Sequence, residues 1–414
     1  MFKFLIQKRF IIFFIVVSIF NVDFISGKGV VSSETLLPPI SQPKKHKRVH
    51  AATIAEVSKD HLIVAYFGGT CEGEPDVKIW LSHGKAIDGE WFWKEPYIVA
   101  DSNEILGEEN KPCYNPVLFK FNKDTILLFY KIGNSPREWK GYLKRSDDGG
   151  KTWTEAEDLF KYNGAVGPTR CKPIRLNENS ILCGSSVEGN PFSWLPINWV
   201  VKMEIFNFFP GTSKISSVKR SKDIATPYFN RVRRDPNYKY FRSRYPYINI
   251  TGIIQPASFF ADGSNEEIKI VCRGKGTKYL ISSISNDGGK SWGSVKEEID
   301  LVNGGGLHGS GIDSVKLKDG NILIVRNELP DGIKNGQCGD RSKLVLDVSR
   351  DNGKNWKTIF VLEDTLPIEG KENCYPSIIQ SSDGLVHIVY TFDKNGDKSS
   401  IKHVVLDPEL LIYK

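Results

Sequence analysis

Short apolar runs, punctuated by Gly, Asp, Asn, Ser and Lys, set the rhythm of this chain from Arg48 onward. His61–Phe67, Thr125–Lys131, Ile268–Cys272, Asn321–Arg326 and Val386–Thr391 are rich in β-branched and aromatic residues and are bounded by turn formers, so they read as strands. After the N-terminal region no long segment carries the 3.6-residue apolar period of an amphipathic helix. The pattern predicts an all-β protein.

A short motif punctuates that pattern: Ser146-Asp-Asp-Gly-Gly-Lys-Thr-Trp153, Ser285-Asn-Asp-Gly-Gly-Lys-Ser-Trp292 and Ser349-Arg-Asp-Asn-Gly-Lys-Asn-Trp356. Each copy follows a strand-like run (Tyr142–Arg145, Tyr279–Ile284 and Leu344–Val348). Asp supplies acceptors for turn N–H groups and Gly accepts positive φ, which makes each copy a tight turn. Trp292 and Trp356 are 64 residues apart, while Trp153 and Trp292 are 139 apart, about two such periods. A degenerate copy spans Ser82–Trp91, and the missing one falls near Lys202–Phe209, where Val200–Ile205 is strand-like. With a closing stretch through Tyr390 and Val404–Leu406, six units of four-strand size emerge, which predicts a six-bladed β-propeller with these motifs at blade turns.

The propeller is assigned to residues 48–414, with an N-terminal linker over 28–47 and a surface insertion over about 206–247 that is rich in Arg, Lys and Tyr. Lys3, Lys8 and Arg9 precede the apolar run Phe10–Val17, and Ser26 and Gly27 offer a cleavage neighbourhood, so residues 1–27 read as a signal peptide. The run is short for a membrane span, and the expectation is a secreted or secretory-lumen protein without a stable span after cleavage, a signal anchor being the alternative. Seven cysteines show no CxxC or Cys/His metal spacing, so neither metal nor cofactor is expected, and Asn249-Ile250-Thr251 is a glycosylation sequon. The net charge of +7 favours acidic partners, but no nucleic-acid module accompanies it and the Lys44–Arg48 run reads as a solvated strand entry.

The three motifs resemble the Asp boxes, or bacterial neuraminidase repeats, of the sialidase superfamily. Over residues 48–408 the chain is similar to an exo-α-sialidase-like subgroup, through His50-Ala-Ala-Thr-Ile, Phe67-Gly-Gly-Thr-Cys-Glu-Gly-Glu-Pro-Asp76, Asn115-Pro-Val-Leu-Phe, Gly252-Ile-Ile-Gln-Pro256, Ser310-Gly-Ile-Asp313 and Tyr375-Pro-Ser-Ile-Ile-Gln. The resemblance implies a Tyr nucleophile, since a carboxylate nucleophile would be repelled by the substrate's own carboxylate. It also implies an arginine cluster, because the planar guanidinium pairs bidentately with carboxylate.

On that basis Tyr375 stands where the family places its nucleophile, and Arg48, Arg273 and Arg341 where it places arginines. Asp76, or failing that Glu72, takes the place of the acid. Gln255 occupies the position of the Glu that activates Tyr and cannot accept a proton. The substitute bases are therefore Asp313, Glu188 and Glu372, while His50, standing where the family has Pro, is a further proton-transfer candidate. Asn115, Arg170 and Lys172 punctuate strands near the same face and are candidate substrate contacts. The leading expectation is an exo-glycosidase that removes a terminal acidic sugar, sialic acid or a related acid, from glycoconjugates. A uronic-acid polysaccharide lyase or hydrolase and a non-catalytic glycan-binding propeller are the rivals that Gln255 keeps open.

Overall fold

The computed structural model describes residues 29–36, 48–188, 199–225, 252–263, 266–275, 277–302, 304, 309–328, 341–365, 372–393 and 399–412. The predicted signal peptide, the sequon and Cys338 lie outside them. Among the described residues no helix is long and apolar enough to cross a membrane.

The chain opens with β1 (Val30–Leu36), then forms five blades in order. Blade I is β2 (Arg48–Ser58), β3 (His61–Gly69), β4 (Lys78–Ile87) and β5 (Glu90–Trp93), with β6 (Tyr97–Ala100) also pairing β4. Blade II is β7 (Cys113–Lys120), β8 (Ile126–Ile132), β9 (Lys140–Ser146) and β10 (Glu157–Asp158). Blade III comprises β11 (Ile174–Asn177), β12 (Ser180–Glu188), β13 (Trp199–Phe208) and β14 (Ile215–Arg220). Blade IV comprises β15 (Gly252–Phe260), β16 (Ile268–Lys275), β17 (Tyr279–Ser285) and β18 (Lys296–Val302). Blade V holds β19 (Asp313–Lys316), β20 (Ile322–Glu328), β21 (Lys343–Ser349) and β22 (Lys357–Asp364). In blade VI, β23 (Asn373–Gln380), β24 (Val386–Asp393) and β25 (Ser399–Leu406) are completed by β1, which pairs antiparallel with β25 and closes the ring. The six-bladed propeller is thus the fold. The predicted linker over 28–47 needs correction, because it contains this closing strand.

The hydrophobic core is distributed over six seams between neighbouring blades. Each sheet buries both faces, so inner strands lose the simple in–out alternation; every residue of β8 is buried. For the same reason the surface insertion expected over about 206–247 needs correction. Phe206, Phe208, Ile215 and Val218 pack in the seam between blades II and III, so residues up to Ala225 belong to blade III, and 226–247 lie outside the described residues.

The Asp boxes cap the third strands of blades II, IV and V. In the box of blade IV, Asp287 accepts from Lys290 N, Ser291 N and, at 2.5 Å, the Ser291 hydroxyl, while Trp292 Nε1 donates to Gly289 O at 3.1 Å. In blade V the Asn355 amide donates to Asp351 at 2.6 Å in place of the hydroxyl, so the departure from Ser or Thr is conservative. The degenerate Ser82–Trp91 segment is an ordinary hairpin whose turn residues Asp88 and Gly89 both have positive φ. Blade VI has no box because its third and fourth strands come from opposite ends of the chain.

Candidate functional site

Inner strands reach the channel at one recurrent place. β2, β7, β15 and β23 each shift register across a bulge, and the first bulge residue has positive φ: Ala51 (53°), Asn115 (43°), Gln255 (54°) and Tyr375 (54°). Arg170, with φ of 82°, precedes the inner strand of blade III. Pro follows Asn115, Gln255 and Tyr375, consistent with a bulge that needs no ladder N–H there. Positive φ at a bulky side chain costs on the order of 1–3 kcal/mol and is typical of functional sites. These strands begin, and their second strands end, on one face; the Asp boxes, which follow third strands, lie on the other.

Tyr375 is the hub. Its hydroxyl accepts from Arg273 Nη1 at 2.6 Å, and the same nitrogen donates to Gln255 Oε1 at 3.2 Å. Three guanidinium carbons surround its ring, those of Arg170, Arg273 and Arg341 at 5.4, 5.5 and 5.3 Å from the centroid. Arg273 and Arg341 therefore face the same ring. Arg273 also covers Trp199, at 5.2 Å, beside Lys275 at 5.3 Å from the same ring.

A cleft of about 300 Å³ opens beside this hub, lined by Arg48, His50, Phe67, Cys71, Glu72, Glu372, Thr391 and Asp393 among others. His50 lies 4.2 Å from the Tyr375 ring, centroid to centroid, and its Nδ1 is 3.1 Å from the Thr391 hydroxyl, which accepts from Ala51 N. Burial, helped by Arg341, Arg170 and Arg273 and opposed by Glu372, lowers the His50 pKa to about 4, so the ring is neutral at pH 7. At Glu372 burial pulls upward, but the Arg341 ion pair at 3.0 Å and His50 outweigh it and hold the carboxyl below its ordinary range.

Glu72 leans over the cleft. Enclosure by the walls, then Glu372, raise its pKa, while Arg341 and Arg273 oppose; its exposed surface argues for a smaller rise than enclosure alone would give. Glu188, at the end of β12, is likewise raised by burial, which Arg273 opposes and Glu72 reinforces.

Other expected residues are committed elsewhere. Asp76 does not line the cleft: its carboxylate accepts from Thr70 N and, at 2.6 Å, from the Thr70 hydroxyl, fixing its own loop. Arg48 does line it, but pairs with Asp393 at 3.2 Å and is not among the three arginines around Tyr375. Lys172 pairs with buried Asp313 at 2.7 Å and donates to Ser314 O at 2.6 Å; the same carboxylate accepts from Ile378 N at 3.0 Å. This pair ties blades III, V and VI together and accounts for Asp313 without a bond to the Tyr375 hydroxyl.

Ligating atoms of His50, Glu372 and Cys374 lie within 4.8 Å of one another. Arg341, 3.0 Å from Glu372 and 3.8 Å from the Cys374 sulfur, already fills the cation position among them, so the trio does not suit a metal. Thr391 and Trp199 escaped the sequence reading, since both stand at strand ends whose facing partners belong to distant segments.

Residues 60–388 match the BNR repeat-like domain. The chain belongs to this family. No curated protein matches the sequence. Among solved structures, a protein of unknown function from Dyadobacter fermentans superposes with a TM-score of 0.62 at 15% identity, over 91% of this chain and 98% of that one. An intramolecular trans-sialidase from Ruminococcus gnavus, solved with oseltamivir carboxylate, gives 0.59 at 11% identity over 94% of this chain and all of that one. The sialidase of Trypanosoma rangeli, solved with the inhibitor DANA, gives 0.58 at 13% over 89% of this chain, which spans only 56% of its length. With its BNR repeats and six blades, the chain shares the propeller fold of these solved structures.

Proposed function

We propose that this protein is a secreted glycosidase that removes a terminal acidic sugar from a glycoconjugate. The observation that carries this reading is the 2.6 Å bond from Arg273 to the Tyr375 hydroxyl with Arg341 flanking the same ring, a phenol beside a carboxylate receptor. Arg273 and Arg341 hold the sugar carboxylate. The Tyr375 oxygen bonds to the anomeric carbon as the glycosidic C–O bond breaks, and the departing oxygen takes the proton of Glu72. The phenolic proton passes to neutral His50, because Gln255 cannot accept it. Water activated by Glu72 then releases the sugar, and His50 returns its proton to Tyr375, so both carboxyl and imidazole are restored.

A second reading has its own support. The Gln255–Arg273 pair resembles what a β-eliminating lyase needs, since an amide and a guanidinium together neutralise a uronate carboxylate while Tyr375 or His50 moves the proton. A panel of chromogenic α-sialosides, chromogenic neutral glycosides and 4-O-linked uronate oligosaccharides separates the cases. The proposal expects aglycone release from acidic glycosides with a saturated sugar product. Unsaturated uronate products would move the assignment to the lyase. Turnover of neutral glycosides with none of acidic ones would remove the arginine argument.

A further inference from the structure

The inner strands of blades I, II, IV and VI carry Ala51, Asn115, Gln255 and Tyr375 at their bulges, while Arg170 precedes the inner strand of blade III and Gly311 that of blade V. In ring order Tyr375 is flanked by Ala51 of blade I and Gly311 of blade V, the two smallest of the set. Directly across stands blade III with Arg170. A large side chain therefore meets a large side chain across the axis, and small neighbours leave room for both.

Arg170 is only 2% exposed, yet its partner is neither a carboxylate nor solvent. Its Nη2 donates to the carbonyl of Pro376, the residue after Tyr375, and its guanidinium stacks 5.4 Å from the Tyr375 ring centroid. Its Nε has no partner among the described residues. A Cβ added at Gly311 would stand 3.1 Å from the Tyr375 ring and 3.2 Å from that Nε, so the glycine is what lets the two side chains meet. Both Arg170 and Tyr375 hold positive φ, a conformation that persists only when the surroundings impose it.

We infer that Arg170 is a positioning residue for Tyr375: from the opposite blade it clamps the strained backbone at Pro376 and supports the ring, fixing where the phenolic oxygen points. It does not bind the substrate carboxylate, which falls to Arg273 and Arg341. The inference rests on the Tyr375 reading for its catalytic consequence, but the clamp itself is readable without turnover. Fixing the hydroxyl matters because a displacement of about 1 Å at a reacting group costs about 100-fold in rate.

The test labels the 15 tyrosines of the full chain with 3-fluorotyrosine and assigns the Tyr375 signal by its loss in Tyr375→Phe. In Arg170→Met, and in Gly311→Ala where charge is kept but the contact is crowded, the ¹⁹F resonance of Tyr375 shifts or splits while the others stay. Turnover by both variants falls about 100-fold in kcat with KM nearly unchanged, and Arg170→Lys recovers part of it. Should Arg170→Met fail to fold, Arg170→Lys, which keeps the charge but loses the guanidinium bond to Pro376, carries the same reading. An unmoved Tyr375 signal in the folded variants overturns the clamp. A loss confined to KM overturns it too, and would make Arg170 a substrate ligand. If the signal moves but the wild-type protein releases no acidic sugar, the clamp stands and the glycosidase assignment falls.

Discussion

The rim and the centre of this propeller are built on opposite principles. An Asp box is self-contained: Asp287 finds its partners within four residues, at Ser285, Lys290 and Ser291, and the turn would form in any blade. The hub at Tyr375 is assembled from distant segments, with Arg273 reaching it across 102 residues and Arg170 bonding its neighbour across 206. Local hydrogen bonds at the rim set the blade turns and contribute stability. Long-range contacts at the centre hold strained backbone and converging charge, which is where chemistry is to be expected.

Substitution separates the two regions. The largest effect is expected at the centre: Tyr375→Phe keeps the ring among its three guanidiniums but removes the nucleophile, so kcat falls about 10³-fold or more. Melting temperature and binding of the acidic sugar, followed by calorimetry, should stay near wild type. Full activity in this variant would move the chemistry to His50 and Glu72.

The rim should show the reverse. Asp287→Ala deletes four acceptor contacts on an exposed turn and is expected to cost about 2 kcal/mol, seen as a lower melting temperature with kcat unchanged. A fall in kcat without loss of stability would show that the rim communicates with the site.

Proton linkage sharpens the contrast further. At the seam between blades VI and I, buried His387 and His403 face each other at 3.1 Å, and burial holds both pKa values near 3. Their folded values lie below the ordinary 6.5, so the unfolded chain binds more protons in the interval between. The stability they contribute is therefore whole above about pH 6.5 and declines as pH falls toward 3, by up to roughly 1.4 kcal/mol per pH unit per ring. Denaturant titrations at pH 7 and 5 measure it, and His403→Gln should flatten the slope. Catalysis responds differently: activity fails below about pH 4, where His50 protonates, and declines on the alkaline side as Glu72 loses the proton it must donate. A pH–rate profile with a single alkaline limb would contradict the role of His50.

The same division explains what the sequence disclosed. The boxes, their spacing and the second strands were legible because turns and strands are local, and the family resemblance named Tyr375, Arg273 and Arg341, which the fold brings together. Ring closure by β1 was not legible, since nothing near Val30–Leu36 reveals a partner at Ile401–Leu406. Nor could the sequence separate Glu72 from Asp76: both follow β3, and only the folded loop shows that Asp76 is engaged by Thr70 while Glu72 faces the cleft. Lys172 looked like an anion contact until Asp313, 141 residues away, was brought against it.

The most direct test of the central claim is to incubate the wild-type protein with a ring-fluorinated glycosyl fluoride of the acidic sugar, which slows release of a covalent intermediate, and to locate the added mass by peptide mass spectrometry. The account predicts one adduct on Tyr375, absent from the Tyr375→Phe variant. An adduct on a carboxylate, or turnover of the parent acidic glycoside with no adduct at all, would contradict it.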